Sequence, residues 1–438
     1  MKWHKLSLIL AGAVLAGCAP GVPPSQSARE ASATPLPSVT VTKAVMVPTA
    51  TSISPTPTRE NSNALNCFEV LNEMPESMLG HGVVLLDTNG TPGFFLLNLE
   101  TRERMDLDGP SENFENASVS PNGTMMSIKK ITFGDSGKIE SDQMLIMETD
   151  GTILKSLPWV EGGVSGAAWL DNQYVVIDVS GLDPEQNRGI EPSTLLVLNP
   201  FTNERKFLTA DFPGLYDGQF LPALPYWGEP WGRSMSVYNQ SLSRVVYLSE
   251  GGSTYILWDV QHKKEIARFL NFNASYLEPP RWSPDGSKFV VSAYRGNMDS
   301  WPQPADGLYL IDTEGNISKL ISTGAENDLY IADHFWSPSG RYIAVLVNTS
   351  TSGTQQKRLW VLDTQTSQID DTCVEYQSFI GTDTPIWSPD ESQLLLYDNR
   401  MDEGGSSLFS KVILVDLVKR VTYEIAKDLE PVGWMKSP

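Results

Sequence analysis

Aromatic side chains set beside arginine, and acids set just ahead of apolar strands, are the residues of this sequence best placed to do chemistry. Tyr216, Phe220, Tyr226, Trp227, Trp231 and Arg233 fall within one Pro- and Gly-containing segment, and Tyr294, Arg295 and Trp301 within another. Rings and guanidinium groups in this mixture anchor peptides, proteins or sugar rings, because each brings a large apolar area with a polar tip. The same residues also pack an insertion down onto its scaffold. Glu278, Asp333 and Asp383 stand a few residues before three Trp-containing strands. Carboxylates so placed ring an opening and hold a cation or basic group, or form a solvated acidic rim.

Enzyme patterns are missing from the same sequence. It has no Gly-x-Ser-x-Gly elbow, no phosphate loop and no dinucleotide fingerprint. Beyond the first residues the histidines are His81, His262 and His334, none adjacent in sequence, which argues against a His-based metal site. Carboxylate pairs are uninformative where Asp and Glu number 53. The reading therefore assigns no catalytic residue, no metal and no cofactor. A formal net charge of −21 argues against nucleic acid, because binding phosphates needs clustered Lys and Arg.

The elements that must position these residues recur along the chain. Arg281-Trp282-Ser283-Pro284-Asp285-Gly286, Phe335-Trp336-Ser337-Pro338-Ser339-Gly340 and Ile386-Trp387-Ser388-Pro389-Asp390-Glu391 are three clear copies of one pattern, each followed by a β-rich run. Looser copies stand at Val119-Ser120-Pro121-Asn122-Gly123, Ala168-Trp169-Leu170-Asp171 and Ser236-Val237-Tyr238-Asn239. The chemistry is that of a hairpin turn: Pro presets φ, Asp or Asn caps, and Gly accepts positive φ. A second signal, an apolar strand closed by Asn, Glu or Asp, ends at Asn98, Glu148, Asn199, Asp259, Asp312, Asp363 and Asp416. A period near fifty residues with four short strands per unit predicts an all-β fold: a single β-propeller, seven blades of four strands. The first unit lacks its Trp strand, and Pro431-Val432-Gly433-Trp434-Met435 supplies one at the other end of the chain. Pairing the C-terminal strand with the first blade closes the ring and removes both sheet edges. The recurring Trp residues are expected to pack between blades.

Trp-Ser-Pro-Asp-Gly followed by an apolar strand resembles the WD-like repeat of TolB-type propellers, over roughly residues 80–438. The resemblance implies the fold and says little of function, since such repeats occur in binding modules and beside peptidase domains. No α/β segment follows this propeller to supply a catalytic half.

The start of the chain reads as an address. Lys2 and Lys5 precede the apolar stretch 6–15, and Leu15-Ala16-Gly17-Cys18 resembles the lipobox of bacterial lipoproteins. The resemblance implies cleavage before Cys18, lipid on its thiol, and an exported protein anchored to a bacterial membrane, facing the periplasm or cell exterior. Residues 1–18 are thus a signal peptide, 19–62 a Pro/Ser/Thr-rich disordered tether, and 63–438 the propeller. Cys67 and Cys373 remain, and two thiols in an exported chain point to one disulfide, against two separately buried thiols. A bridge across so long a loop stabilises by roughly 5 kcal/mol in the chain-entropy model.

Within each blade the turns after strands a and c are tight, whereas the b–c segments 132–143, 179–193, 293–307, 348–357 and 398–410 and the d–a segment 211–233 are long. All the long connections leave from one end of the ring, where binding is expected. The chain is expected to act as an interaction module for an envelope protein, peptide or glycan; the alternative is a hydrolase or lyase acting on an envelope or extracellular polysaccharide.

Overall fold

A computed structural model of the chain describes residues 67–71, 81–87, 93–106, 113–133, 139–158, 167–178, 194–209, 222–223, 236–249, 254–270, 280–293, 307–323, 330–348, 356–377, 385–401 and 407–436. Among them every regular element is a β-strand. The strands form seven sheets, the seven blades, each with four strands a to d in antiparallel order. Blade 1 is Leu429–Lys436, His81–Asp87, Gly93–Asn98 and Arg104–Asp106; blade 2 is Asn113–Val119, Met125–Phe133, Ile139–Glu148 and Ile153–Pro158. Blade 3 is Ala167–Trp169, Val175–Asp178, Thr194–Leu198 and Arg205–Thr209; blade 4 is Ser236–Tyr238, Arg244–Leu248, Thr254–Asp259 and Lys264–Leu270. Blade 5 is Arg281–Trp282, Lys288–Ala293, Gly307–Asp312 and Ile317–Ser322; blade 6 is Tyr330–Trp336, Tyr342–Asn348, Gln356–Asp363 and Gln368–Gln377. Blade 7 is Ile386–Trp387, Gln393–Met401, Ser407–Asp416 and Val421–Lys427. The ring closes as the repeat predicts: Leu429–Lys436 is strand a of blade 1, with Trp434 opposite Val83.

Burial follows from strand alternation. In blade 1, Val83 and Leu85 enter the cluster shared with blade 7, while Val84 between them enters the cluster shared with blade 2. Each of the seven junctions between neighbouring blades has such a cluster. Central strands therefore read as continuous apolar runs, because both sheet faces are buried.

The recurring Trp residues do more than fill space. Trp169 donates its indole N–H to the Ser118 carbonyl of blade 2 (3.1 Å), Trp282 to Val237 of blade 4 (2.9 Å), and Trp336 to Arg281 of blade 5 (2.9 Å). Trp387 donates to Phe335 of blade 6 (3.3 Å) and Trp434 to Ile386 of blade 7 (2.9 Å). Five junctions thus carry the same indole-to-backbone bond, from one inner strand to the inner strand before it. The equivalent residues in blades 2 and 4 are Val119 and Tyr238. At the first of these, a side chain on Gly433 would place its Cβ 2.6 Å from Val119, so glycine is required for the blades to meet.

The turn serines are buried and tie the a–b hairpins. Ser283 donates its hydroxyl to Asp285 (2.5 Å) and accepts from the Lys288 N–H (3.2 Å); Ser388 donates to Asp390 (2.7 Å) and accepts from Gln393 (2.9 Å). Most of the acids and amides that end the c strands are caps too. Asp312, Asp363, Asp416, Asn98 and Asn199 all accept backbone N–H groups of the turns that follow them. These are Asx caps, built where the chain reverses within a few residues.

Three features depart from the expected layout. First, segments 132–143 and 398–410 are largely strand: Thr132 pairs with Ser141, and Asp398 to Arg400 pair with Lys411 to Phe409. Their polar side chains read as loop, yet a hairpin ladder satisfies backbone groups whatever the side chains. Second, Pro222–Ala223, inside the expected 211–233 connection, pairs in parallel with Ser236–Val237 on the inner edge of blade 4. Third, Glu69–Leu71 adds a parallel strand to the outer edge of blade 7 through Val421 to Tyr423. Cys67 and Cys373 form a disulfide, with Cα atoms 5.2 Å apart.

Candidate binding surface

Strands a and c start, and strands b and d finish, at the end of the ring from which the long connections leave. At that end of blades 5, 6 and 7 the apolar cores give way to a layer of buried polar residues. Alternation sets which way they face. Ala344 and Leu346 of blade 6 enter the cluster shared with blade 7, as do Leu359 and Val361, so Asn348 and Lys357 continue those rows. Leu394 and Leu396 of blade 7 enter the same cluster, so Asp398 continues theirs toward blade 6. Lys357 lies directly across from Asn348 on one side and Tyr376 on the other. All four residues are buried, Asp398 completely.

Asp333 belongs to this layer. Read from sequence as a rim acid that holds a cation or basic group or is simply solvated, it is buried and engaged by Arg281 of blade 5, whose guanidinium donates to both oxygens at 3.1–3.2 Å. Arg281 also stacks 4.0 Å over the Phe335 ring. A carboxylate leaving water needs such a fork of donors, and the start of strand a in the preceding blade supplies it. The backbone N–H of His334 donates to Asp333 as well, at 2.7 Å.

Asp398 is held less completely. One oxygen accepts the Gln377 N–H at 2.9 Å. The other lies 3.5 Å from the Lys411 ammonium and 3.6 Å from the Arg400 guanidinium, so its charge is compensated, but it has no hydrogen-bond partner. The Tyr376 hydroxyl is likewise buried without a partner. Burial, reinforced by Asp333 and Asp398, drives the Tyr376 pKa well above its ordinary value. The hydroxyl is therefore a standing donor. A fully buried group with unmet bonding capacity is uncommon, and it marks a place for water or for a ligand atom.

His334 is fully buried as well, with its Nε2 near the Val290 carbonyl (3.3 Å) and its Nδ1 unpartnered. Burial lowers its pKa to about 4, so the ring is neutral. Among the described residues no three His, Cys, Asp or Glu side chains could hold a metal ion.

The opposite end of the ring is built differently. There the a–b turns of five blades line a cavity of about 300 Å³ with Pro121, Asp171, Asn172, Gln240, Asp285 and Ser339 among its walls. Its polar groups serve the turns and the junctions. Asn172 accepts the Asn122 N–H of blade 2 (3.0 Å), Gln240 donates to the Leu170 carbonyl of blade 3 (3.3 Å), and Glu391 of blade 7 accepts from the Ser339 backbone and hydroxyl of blade 6.

Cys18, Tyr216, Phe220, Tyr226, Trp227, Trp231, Arg233, Glu278, Tyr294, Arg295, Trp301 and Asp383 lie outside the described residues. The segments that carry the last five depart from the end that holds the polar layer, since Ala293 and Gln377 finish their strands there and Arg281 starts its own. Sequence reasoning missed Tyr376, Lys357, Asp398 and Arg281. A usable signal existed for one of them: a strand running Leu394-Leu395-Leu396-Tyr397 into Asp398 carries its apolar pattern straight onto an acid.

No protein-family model and no curated relative matches the sequence. Solved structures do match. TolB from Acinetobacter baumannii is 12% identical, with 86% of this chain and 89% of that chain covered and a TM-score of 0.41. An oligogalacturonate lyase in complex with manganese is 12% identical over 80% and 85% of the two chains, with a TM-score of 0.46. The periplasmic gluconolactonase of Pseudomonas aeruginosa is 11% identical over 82% and 100%, with a TM-score of 0.44. These likenesses concern the fold alone, which strand pairing establishes independently: the chain is a seven-bladed β-propeller, similar in fold to TolB.

Proposed function

We propose that the protein is an extracytoplasmic interaction module that binds a protein, peptide or glycan at the loop-rich end of its ring. The observation that carries this reading is the buried polar layer between blades 6 and 7, where Tyr376 and Asp398 keep bonding capacity unmet. Buried polar atoms without partners cost roughly 1–3 kcal/mol each, a cost that persists where a bound group offsets it. At the tight-turn end the Arg244 Nε is also buried without a hydrogen-bond partner, but the same guanidinium donates to the Ser243 carbonyl and pairs with Asp259 within its own blade. The Cys67–Cys373 bridge fits an oxidising compartment, in keeping with export and with lipid on Cys18 as the route to a membrane.

The test compares four purified proteins in pull-downs from the cell envelope: residues 63–438, the same body lacking Tyr216 to Trp231, Asp398→Asn and Asn172→Ala. Any partner that is captured is then purified and its affinity measured directly. The deletion and Asp398→Asn should lose it while Asn172→Ala, at the turn end, retains it. Equal binding by all of them would overturn the reading.

The same layer favours a second reading, a polysaccharide hydrolase or lyase, because it brings carboxylates, a buried lysine and a tyrosine hydroxyl together. Incubation with envelope or extracellular polysaccharides, followed for new reducing ends or unsaturated products, tests it. Products that vanish in Tyr376→Phe would move the assignment to an enzyme.

A further inference from the structure

The disulfide sits at a particular place in the path of the chain. Cys67 comes immediately before a strap that lies over the outer rim of blades 6 and 7. Phe68 is buried in their shared cluster, its N–H donates to the Thr372 carbonyl of blade 6 (3.1 Å), and the Arg420 guanidinium of blade 7 lies 4.5 Å over its ring. The Glu69 N–H donates to the Arg420 carbonyl (3.0 Å), and Glu69 to Leu71 then pair with Val421 to Tyr423. Every one of these contacts is C-terminal to Cys67.

Strand d of blade 6 is shaped to receive the bridge. Its register with strand c shifts between Arg358 and Trp360, so that Leu359 faces a bulge centred on Cys373. Cys373 adopts a φ of 57°, a left-handed conformation that costs a non-glycine residue energy. The bulge is secured on both sides: Thr372 donates to the Leu359 carbonyl (2.7 Å) and accepts from the Val374 N–H (3.1 Å), and the Cys373 N–H donates to Asp371 (3.1 Å).

Tension on the chain ahead of Cys67 has two possible routes. With the bridge open it runs along the strap, whose strand is three residues long, and then into His81–Asp87. That strand pairs with Leu429–Lys436, and their pairing is what shuts the ring. With the bridge closed, tension leaves the backbone at Cys67 and enters the middle of the ten-residue strand Gln368–Gln377. The strap then carries none of it, and the chain no longer pulls directly on the closing pair.

We propose that the Cys67–Cys373 bridge is a force bypass, which delivers pull from the N-terminal segment into blade 6 and shields ring closure. Its use in the cell rests on reading residues 19–62 as a membrane tether; the mechanics do not. Residues 19–438 are held in optical tweezers by an N-terminal handle and a handle in the exposed c–d turn of blade 3 at Thr202. The oxidised protein should show no early step. After a small thiol reductant is added to the folded protein, an early extension of roughly 50 Å should precede every larger event, the reach of residues 67 to 80. Cys67→Ser with Cys373→Ser should show the same step, and the reductant arm stands even if that variant folds poorly. An early step in the oxidised protein, or an identical first rupture with and without reductant, overturns the proposal. No ligand enters the experiment, so the binding reading stands or falls apart from it.

Discussion

The two ends of the ring use polar residues in opposite ways. At the tight-turn end Ser283 and Ser388 recur at matching places, each bonded to the acid of its own turn and to the strand beyond. At the loop-rich end of blades 6 and 7, Asp398 stands where blades 5 and 6 carry Ala293 and Val347, and one of its oxygens is ion-paired but accepts no hydrogen bond. Repeated polar residues here belong to the scaffold, since each hairpin poses the same unmet backbone groups and meets them with the same side chain. A buried polar residue that departs from the repeat answers no need of the hairpin. Lys411 and Arg400 of its own blade compensate the Asp398 charge, and only the hydrogen bond still unmet is left for something outside the blade.

The contrast can be broken or sharpened by four measurements, the largest effect first. Trp282→Ala removes both the packing between blades 4 and 5 and the indole bond to Val237; it should cost about 3–5 kcal/mol in urea unfolding. A loss near 1 kcal/mol would mean that the girdle contributes little. Acidification acts on His334, whose folded pKa of about 4 lies below its ordinary 6.5. The unfolded chain takes the proton first, so the stability is fully present above pH 6.5 and falls by about 3 kcal/mol as the pH drops to 4. Unfolding midpoints across that window should show the slope, and His334→Phe should flatten it.

Ser388→Ala, at the scaffold end, should cost about 1–2 kcal/mol by leaving the Gln393 N–H without its acceptor. Tyr376→Phe is the counterpart at the other end. It removes a hydroxyl that bonds to nothing, so stability should stay within about 1 kcal/mol of the parent or rise. If the layer binds a partner, the same change weakens that binding about tenfold, the worth of one hydrogen bond. A large loss of stability from Tyr376→Phe would erase the contrast between the two ends.

Much of this fold was legible in the residues. Ser-Pro-Asp-Gly turns, strand-ending acids and a final Trp strand are local patterns, and each hairpin can be recognised without its neighbours. The candidate surface was legible only in part. Asp333 stood out as an acid ahead of a Trp strand, but the basic group that engages it, Arg281, could not be named because it lies in the preceding blade. The extra strand Glu69–Leu71 carries no turn or repeat to announce it, and it forms only because blade 7 offers an open outer edge.

By itself the sequence determined the number of blades, the turn chemistry and the closure of the ring. These follow from φ preferences, capping and alternation, which act over a few residues and repeat at a fixed interval. Only the tertiary structure decided that Phe68 seats between blades 6 and 7, that a bulge brings Cys373 to Cys67, and that Tyr376 and Asp398 share one buried layer with unmet bonds. Those outcomes depend on which surfaces meet when separate blades come together. Contact across a junction leaves no periodic trace in the chain.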